Sequence, residues 1–533
     1  MQRRPFMQLS AAAMAASVIA PLAAPRLAAA QGGRLLRFIP HADLAVTDPL
    51  FSAAYVTRNH GYLVYDTLFG QDAAYQPQPQ MLEGFTTEAD GRRWVLTLRE
   101  GLRFHDGTPV LARDCVASIR RWGARDDLGR TLMAATEELS ADGDRRIVFR
   151  LKAPFPLLPL ALGKTPGLMC AIMPARIAEA APEKAVTEIV GSGPFRFLAD
   201  ERVAGDHVAY ARFEDYRPRE GGVAEGTAGP KRVHFDRVEW KVIADASTAG
   251  AALRTGEVDW WELPSPDMLP LLRRGNGMKV EVLDPSGYVG ALRLNHLQGP
   301  TANPAIRRAL LAAISQQDAV MAMAGTDPAL WNDKVGYFCP GTPLASEVGL
   351  EAVTAPRDLA AVKRALEAAG YQGETLLLMV PSDVHLNTAA SDVAADALKR
   401  AGVNVDYVAM DWGTMLQRRN KKEPVAQGGW SAYVALNTGA DTANPAVHPM
   451  LRGDGKSGVY GWCEDAEIER LRAAYFQAEE ATAQRGIAER MQAEAFRHVP
   501  YVPLGQIAQL TAYRANLSGL LKGVPVFWNL RRA

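Results

Sequence analysis

The chain has the composition of an ordinary globular protein: 533 residues, 48% hydrophobic and 22% charged, with 59 lysines and arginines against 59 aspartates and glutamates. This excludes a disordered or collagen-like chain, and four cysteines are too few for a disulfide scaffold. Because the formal net charge is zero, bulk attraction to nucleic acid is excluded, and no nucleic-acid partner is expected.

The first thirty residues carry the three parts of an export signal. The pair Arg3-Arg4 precedes an apolar run at 9–20, and three alanines follow at 28–30. The apolar run is shorter than the roughly 20 residues that a membrane-spanning helix needs. We interpret 1–30 as a twin-arginine-type signal peptide, with no cysteine near its end to accept a lipid. The mature protein is therefore expected to be periplasmic, soluble and not lipid-anchored.

Strand and helix patterns alternate along the rest of the chain. Strand patterns occur at 34–39, 94–98, 147–151, 238–243, 258–261, 289–294, 375–380 and 403–408, and helical patterns at 110–122, 246–254, 303–313, 357–369, 383–401 and 466–499. This alternation predicts α/β units with mixed sheets. A segment rich in glycine and proline, 217–230, is interpreted as a surface insertion.

Compact catalytic and metal-binding motifs are absent from the sequence. It contains no H-E-x-x-H, C-x-x-C, S-x-x-K or G-x-S-x-G. Residues 453–458 match G-x-G-x-x-G, but without the preceding strand and following helix that a phosphate site needs, so we interpret them as a surface turn. His105-Asp106 is interpreted in the same way. The sequence therefore predicts no catalytic residue, no metal site and no cofactor.

Several segments together resemble one known family. Residues 94–110 (WVLTLREGLRFHDGTPV) resemble the signature segment of the extracytoplasmic solute-binding proteins of ABC transporters, family 5, which includes peptide, nickel and opine binders. Further matches follow in family order at 48–49, 65–68, 190–197, 251–259, 303–314, 368–371 and 428–430. The ordered set extends from about residue 34 to 510.

The resemblance implies a two-lobed α/β fold of the periplasmic binding protein-like II type (class II, cluster C). Such a fold has a hinge between the lobes and an extra subdomain in the N-terminal lobe. The implied division is lobe I at 31–70, 190–285 and a C-terminal return at 497–533, the extra subdomain at 71–189, and lobe II at 286–496.

The resemblance also implies a function. Such a protein captures a small solute, peptide-like or another small organic molecule, between its lobes and delivers it to the permease and ATPase subunits of an ABC importer in the inner membrane. We expect a monomer that is not an enzyme. The alternative is an exported hydrolase or other non-transport enzyme whose catalytic residues come from distant parts of the chain.

Peptide-binding members of the family hold the ligand's amino terminus with an aspartate shortly after a Gly-Trp pair. Here Gly429-Trp430 is followed by Ala432 and Tyr433 where that aspartate would align, which argues against typical peptide binding. We instead expect a cleft of aromatic side chains with a few polar groups, although core packing is the alternative for each aromatic. The candidate ligand contacts are Trp261, Glu262, Arg293, Asn295, Trp412, Trp430, Tyr433 and Asp441.

The four cysteines leave two possibilities open. Disulfides Cys115–Cys170 and Cys339–Cys463 would each lie within one lobe of the expected fold, and the periplasm would permit them. Buried free thiols are the other possibility.

Overall fold

The computed structural model describes residues 34–88, 90–275 and 277–533, so the expected signal peptide lies outside the described residues. The strands are β1 (Leu35–Ile39), β2 (Phe69–Gln71), β3 (Pro77–Pro79), β4 (Leu82–Glu88), β5 (Arg93–Leu98), β6 (Thr136–Asp142), β7 (Arg146–Leu151), β8 (Phe195–Phe197), β9 (His207–Arg212), β10 (Arg237–Lys241), β11 (Trp260–Trp261), β12 (Met278–Leu294), β13 (Trp331–Asn332), β14 (Leu376–Pro381), β15 (Val405–Met410), β16 (Ala432–Thr438), β17 (Tyr501–Arg514), β18 (Leu517–Ser518) and β19 (Arg531–Arg532).

Helices of four to eighteen residues connect these strands along the chain. They are α1 (Tyr55–Val64), α2 (Ala112–Arg125), α3 (Asp127–Ala135), α4 (Leu158–Gly163), α5 (Ala175–Ala178), α6 (Ala246–Thr255), α7 (Leu269–Arg274), α8 (Pro304–Ala313), α9 (Gln316–Ala324), α10 (Glu351–Thr354), α11 (Leu359–Ala368), α12 (His385–Arg400), α13 (Trp412–Arg418), α14 (Ala466–Gln477) and α15 (Ala481–His498). No helix of the described residues is long and apolar enough to cross a membrane.

Side-chain caps determine where several helices begin. The Asn303 side chain accepts a hydrogen bond from the backbone N–H of Ala305, and Pro304 follows in the first turn of α8, where its missing N–H costs nothing. Asp358 and Asp411 cap α11 and α13 in the same way. At the other end of α6, Gly256 adopts the left-handed conformation that stops the helix. The sequence therefore specifies these boundaries locally.

One mixed sheet extends through both halves of the molecule. Its strand order is β15-β14-β16-β12-β17-β11-β1-β10-β9-β8, with β13 also paired to β17. The long strands β12 and β17 are antiparallel, and β17 continues to β11 at one end while β12 continues to β16 at the other. Register shifts interrupt their pairing between Val282 and Tyr288. Two strands with an irregular middle therefore join a first lobe, around β1 and β8–β11, to a second lobe, around β14–β16.

A separate antiparallel sheet, in the order β4-β5-β7-β6, lies within the first half of the chain. Its inner face buries Trp94, Leu96, Ile147 and Phe149, and α2 packs against β6 and β7. Alternation of apolar and polar residues along β5 and β7 explains why one face is buried and the other is open to water. This sheet falls within the range expected for an extra subdomain.

Two sequence interpretations require correction. The pattern at 466–499 forms two helices, α14 and α15, because the backbone at Ala478 is extended and the chain restarts at Glu480. The segment 217–230 is also more than a surface insertion. Thr227 is completely buried, and its hydroxyl accepts a hydrogen bond from the backbone N–H of Gln71 at 2.9 Å.

The four cysteines are free and buried in the structure. Burial raises the pKa of the Cys339 and Cys463 thiols to about 12, and Asp284 adds to the effect at Cys339. Thiols with such pKa values are unreactive at neutral pH. The sequence left open disulfides or buried free thiols, and the structure shows buried free thiols.

Candidate ligand-binding cleft

A cavity of about 130 Å³ lies beside the irregular stretch of β12, between the two lobes. The first lobe contributes Gln71, Tyr75 and Thr227 to its wall, and the second lobe contributes Pro340 and Ala440. The crossing strand itself contributes residues 284–286, and the C-terminal segment contributes 522–524. A cavity lined by both lobes and by the strand between them is suited to a ligand that holds the lobes together.

Asp284 and Tyr75 are the most unusual groups of this wall. Asp284 Oδ1 accepts hydrogen bonds from the backbone N–H and the hydroxyl of Ser286, at 2.9 and 2.7 Å. Burial nevertheless raises the pKa of Asp284 above its ordinary value. Tyr75 has a φ of 61°, a left-handed conformation that costs a tyrosine on the order of 1 kcal/mol. Backbone strain of this kind is concentrated at functional sites.

A direct hydrogen bond crosses between the lobes next to this cavity. The Tyr55 hydroxyl, at the start of α1, donates to Asp441 Oδ2 at 2.7 Å and accepts from the backbone N–H of Thr438 at 2.9 Å. Asp441 also accepts from the Thr438 hydroxyl at 2.7 Å. Burial, the Asp441 charge and this hydrogen bond raise the pKa of Tyr55, so its hydroxyl remains a donor. The contact joins the first lobe to the second directly.

Glu262 follows β11 and is 2% exposed. Its carboxylate accepts from the backbone N–H of His41 at 2.8 Å and from the Asn59 amide at 2.9 Å, and it lies 2.8 Å from His41 Nδ1. Burial acts to raise the pKa of Glu262, but the His41 charge and the hydrogen bonds outweigh it, and the pKa is lowered. Glu262 therefore stays ionised at neutral pH and holds His41 and Asn59 in place.

Arg58, on α1, is 6% exposed, and its guanidinium carbon lies 4.7 Å from the centroid of the Tyr55 ring. Among the described residues, neither Nε nor Nη1 has a hydrogen-bond acceptor. Nη2 has one long contact, 3.5 Å, to the Asn59 side chain. The Arg58 charge also acts to lower the pKa of the nearby carboxyls Glu262 and Asp284. Arg58 is thus a buried cation with unused donors, close enough to the cavity-lining Asp284 for its charge to act on that carboxyl.

The sequence analysis missed Arg58. Its one signal was the polar run Arg58-Asn59-His60 inside a helix that is otherwise rich in Tyr, Leu and Val. Most of α1 is buried on every side, so these polar residues face protein and not water. A helix buried all round cannot be recognised from a single amphipathic stripe.

The aromatic residues expected in the cleft pack together in the second lobe. Trp430 is completely buried, and its ring centroid lies 5.1 Å from that of Tyr433 and 5.6 Å from that of Trp462. The Trp430 indole donates to the backbone carbonyl of Arg419 at 3.1 Å. The same cluster buries Met415. The local geometry is that of core packing, and contact of Trp430 or Tyr433 with a ligand remains a prediction.

Arg293 and Asn295 are bound to backbone groups near that cluster. The Asn295 amide donates to the Trp430 carbonyl at 2.8 Å, and its oxygen accepts from the Leu297 N–H at 3.0 Å. Arg293 donates to the carbonyls of Met450 and Tyr460. Both side chains therefore organise loops of the second lobe.

The remaining candidates lie apart from one another. Trp261 packs in a small apolar cluster with α6, while its neighbour Trp260 donates to the Thr511 hydroxyl at 2.7 Å. Trp412 begins α13 and is half-buried. Asp441 takes part in the hydrogen bond between the lobes, whereas Glu262 is bonded within the first lobe. Contact of any of the eight candidates with a ligand remains a prediction.

A second cavity of about 430 Å³ lies further out, between the region of the extra sheet and the second lobe. Near its edge the Phe155 and Phe476 rings are stacked, with centroids 5.9 Å apart. An ion pair of 3.5 Å joins Arg452 to Asp127. These contacts join the region of the extra sheet to the second lobe.

The fold also brings together two histidines and a cysteine that are scattered in the sequence. Potential ligand atoms of His296, Cys463 and His498 lie within 4.8 Å of one another. Burial and the Arg307 charge lower the pKa of both histidines, that of His498 to about 4. The neutral rings could bind a metal, but the Arg307 and Arg293 charges oppose a cation at this position. The absence of a metal site remains a prediction.

Comparison with known proteins identifies the family. The model of the bacterial extracellular solute-binding proteins, family 5, matches residues 76–454. The chain is 36% identical over 508 residues to a probable peptide ABC transporter periplasmic-binding protein of Sinorhizobium fredii, covering 92% of each chain. It is 26% identical over 394 residues to a glutathione-binding protein of Pectobacterium atrosepticum, covering 73% of this chain and 71% of the relative.

Solved structures show the same architecture. A periplasmic binding protein of A. tumefaciens R10 in complex with agropinic acid superposes with a TM-score of 0.78 at 18% identity, covering 94% of this chain and 99% of the other. A dipeptide-binding protein of Pseudoalteromonas sp. SM9913 in complex with Met-Leu gives 0.76 at 18% identity, covering 94% and 100%. The expected two-lobed α/β fold is confirmed.

Proposed function

This chain belongs to the bacterial extracellular solute-binding proteins of family 5, and on that premise we propose that it is the periplasmic receptor of an ABC importer for a small peptide-like or other small organic solute. The observation that carries the proposal is the cavity at the crossing strands, lined by both lobes and bordered by the Tyr55–Asp441 hydrogen bond. A solute bound there contacts both lobes and shifts the equilibrium towards the closed form.

The division of the chain that we propose also places the lobe boundaries at the crossing strands. We place the lobe I segments at 31–70, 190–285 and 497–533, the extra subdomain at 71–189, and lobe II at 286–496. The boundary at 285–286 falls within the register shifts of β12, where a strand can bend with little loss of pairing. The return at 497 immediately precedes β17, the second crossing strand.

We propose an amino-acid-derived solute for this cleft. One relative is named for peptides and another for glutathione, and two structural neighbours hold Met-Leu and agropinic acid. These ligands share amino-acid components, although the aspartate that anchors a peptide's amino terminus is missing after Trp430. A peptide-like or opine-like solute held by groups other than that aspartate is consistent with both observations.

The receptor is favoured over the exported hydrolase. The relatives are named as binding proteins, and the chain aligns with them over most of its length. We propose a monomer without a catalytic role, exported by its twin-arginine-type signal and released without a lipid anchor.

Native mass spectrometry of the protein purified from the periplasm tests the receptor function, since a captured solute adds one defined mass. A second measurement uses Met-Leu, glutathione and agropinic acid as probes in thermal-shift and small-angle scattering experiments. A bound solute should raise the melting temperature and reduce the radius of gyration, because closure accompanies binding. Chemical consumption of a probe would contradict the proposal and restore the enzyme alternative.

A further inference from the structure

We propose that Arg58 forms an anion-binding subsite of the cleft and that the transported solute carries a carboxylate that pairs with it. This inference rests on the proposed receptor function and specifies the chemistry of its ligand. The subsite consists of the Arg58 guanidinium, the Tyr55 ring beneath it and the adjoining cavity wall at Asp284.

Arg58 itself lacks, among the described residues, the partners that a buried guanidinium needs. More than nine-tenths of the residue is buried, yet Nε and Nη1 have no acceptor among the residues that the structure describes. A buried guanidinium without partners is costly, because burial removes its water and nothing replaces it. A carboxylate fits this requirement, since its two oxygens can accept two parallel N–H donors from one guanidinium.

The carboxylates near Arg58 already accept hydrogen bonds from other groups. Glu262 accepts from His41 and Asn59, and Asp441 accepts from Tyr55 and Thr438. Asp284 uses Oδ1 for Ser286. The hydrogen bonds of these groups therefore fix them in place without satisfying Arg58.

Other buried cations of the chain offer a contrast with Arg58. Arg121 lies 3.0 Å from Asp48, Lys164 lies 2.8 Å from Asp126, and Lys231 lies 2.7 Å from Asp66. Each has the internal counter-charge that a buried cation requires. Arg293 and Arg307, which are equally buried, donate instead to backbone carbonyls. Among the described residues Arg58 has neither an ion pair nor such carbonyl acceptors, and its charge acts on Asp284 of the cavity wall.

The charges around the cavity favour a carboxylate over a phosphate. Ionised Glu262 already offsets part of the Arg58 charge, so the site tolerates an anion of low charge best. A phosphate with nearly two negative charges would place more excess charge beside Glu262 and Asp441 than a carboxylate with one, since both are close to the same group of side chains. We therefore assign the subsite to a carboxylate, as found at a peptide terminus or in an amino-acid conjugate.

The test compares the wild type with Arg58→Gln and with a control, Arg364→Gln, which changes an exposed arginine on α11. Melting temperatures are measured in sodium acetate, sodium phosphate and sodium chloride at equal ionic strength. We expect acetate to raise the melting temperature of the wild type and of Arg364→Gln by several degrees over chloride, and to leave Arg58→Gln at its chloride value. A larger response to phosphate than to acetate would overturn the choice of a carboxylate.

The unliganded stability of Arg58→Gln provides a second readout. A structural arginine would lower the melting temperature on removal, whereas removing an unpartnered buried charge should leave it unchanged or raise it. A melting temperature several degrees lower, combined with no acetate response in the wild type, would show that Arg58 is structural.

The solute captured in the periplasm gives the third readout. Wild type and Arg364→Gln should carry the same acidic compound, and Arg58→Gln should bind it about a hundredfold more weakly. If Arg58→Gln retained the compound at unchanged affinity, the subsite would be wrong while the receptor function stood. If the wild type neither carried nor closed on any solute, the receptor function itself would fail.

Discussion

The hydroxyl of Tyr55 donates a hydrogen bond of 2.7 Å to Asp441, a residue 386 positions later and in the other lobe. The same hydroxyl accepts from the backbone of Thr438, so one phenol is bound to the second lobe in two ways. Both interactions must break when the lobes separate. The balance between open and closed forms therefore depends on this contact as well as on the solute.

Removal of the phenol should favour the open form. We expect Tyr55→Phe to lower solute affinity about tenfold, because a hydrogen bond to a charged acceptor contributes about 1.5–3 kcal/mol and here exists only in the closed form. Titration calorimetry with the captured solute measures the change. The matched control is Tyr407→Phe, which removes a 2.7 Å hydrogen bond to Asp392 within the second lobe. Equal affinity in the two variants would contradict this role for Tyr55.

Loss of the Glu262 charge should destabilise the first lobe in a pH-dependent manner. We expect Glu262→Gln to lower the free energy of unfolding at pH 7 by about 2 kcal/mol, because the amide leaves donors of His41 and Asn59 poorly matched. The folded-state pKa of Glu262 lies below its ordinary value of 4.5. The stabilisation by its charge is therefore complete above pH 4.5 and is lost as the pH falls through the folded-state pKa. Urea unfolding between pH 7 and pH 3 should show that the difference in free energy of unfolding between the wild type and Glu262→Gln becomes smaller.

The control for that experiment is Glu367→Gln, at an exposed position of α11. It should differ little from the wild type at any pH, since exposed carboxylates contribute little to stability. A gap between wild type and Glu262→Gln that widened as the pH fell would contradict the assignment.

The buried pair of Lys231 and Asp66 should be essential for folding of the first lobe. Both side chains are almost completely buried, 2.7 Å apart. We expect Lys231→Met to lower the free energy of unfolding by about 3–5 kcal/mol, because it leaves a buried carboxylate without its counter-charge. The control is Arg400→Met, which breaks an exposed pair with Asp396 and should cost well under 1 kcal/mol. If the two variants lost equal free energy of unfolding in chemical denaturation, the Lys231–Asp66 pair would not be essential for folding.

The four thiols should all react with iodoacetamide once the protein is denatured without reductant. Each cysteine is buried and unpaired in the structure, so folded protein should be protected and unfolded protein should gain four adducts by mass spectrometry. The melting temperature should not change with a reductant. Two adducts or none would show that disulfides form in the periplasm.

Much of the fold could be predicted from the sequence because its signals are local. The turn and capping residues around α8, α11 and α12 set boundaries that agree with the structure within about two residues. The crossing strand could not be predicted in full. Its middle contains Asp284, Pro285 and Gly287, which locally disfavour a strand, and pairing with β17 on both sides of 285–287 carries the strand across them.

The candidate site was less predictable. Glu262 and Asp441 were candidates from the sequence, and their contact with a solute stays a prediction. A buried Trp430 in a packed cluster has the same sequence signature as a tryptophan in a cleft. Arg58 was missed because its importance lies in lacking partners, which only the assembled fold reveals. Burial and unsatisfied donors are properties of three-dimensional surroundings, and residue type alone does not report them.

The position of β17 has a consequence for the order in which the molecule can form. This strand pairs with β11, β12 and β13, yet it starts at Tyr501, close to the end of the chain. At the outer edge of the same lobe, Arg532 donates to the carbonyl of Leu35 at 2.8 Å, joining the two ends of the described chain. During translation β11 and β12 must therefore wait for nearly all of the remaining polypeptide before their partner emerges from the ribosome. The two crossing strands of the hinge can therefore pair only after nearly the whole chain has been synthesised.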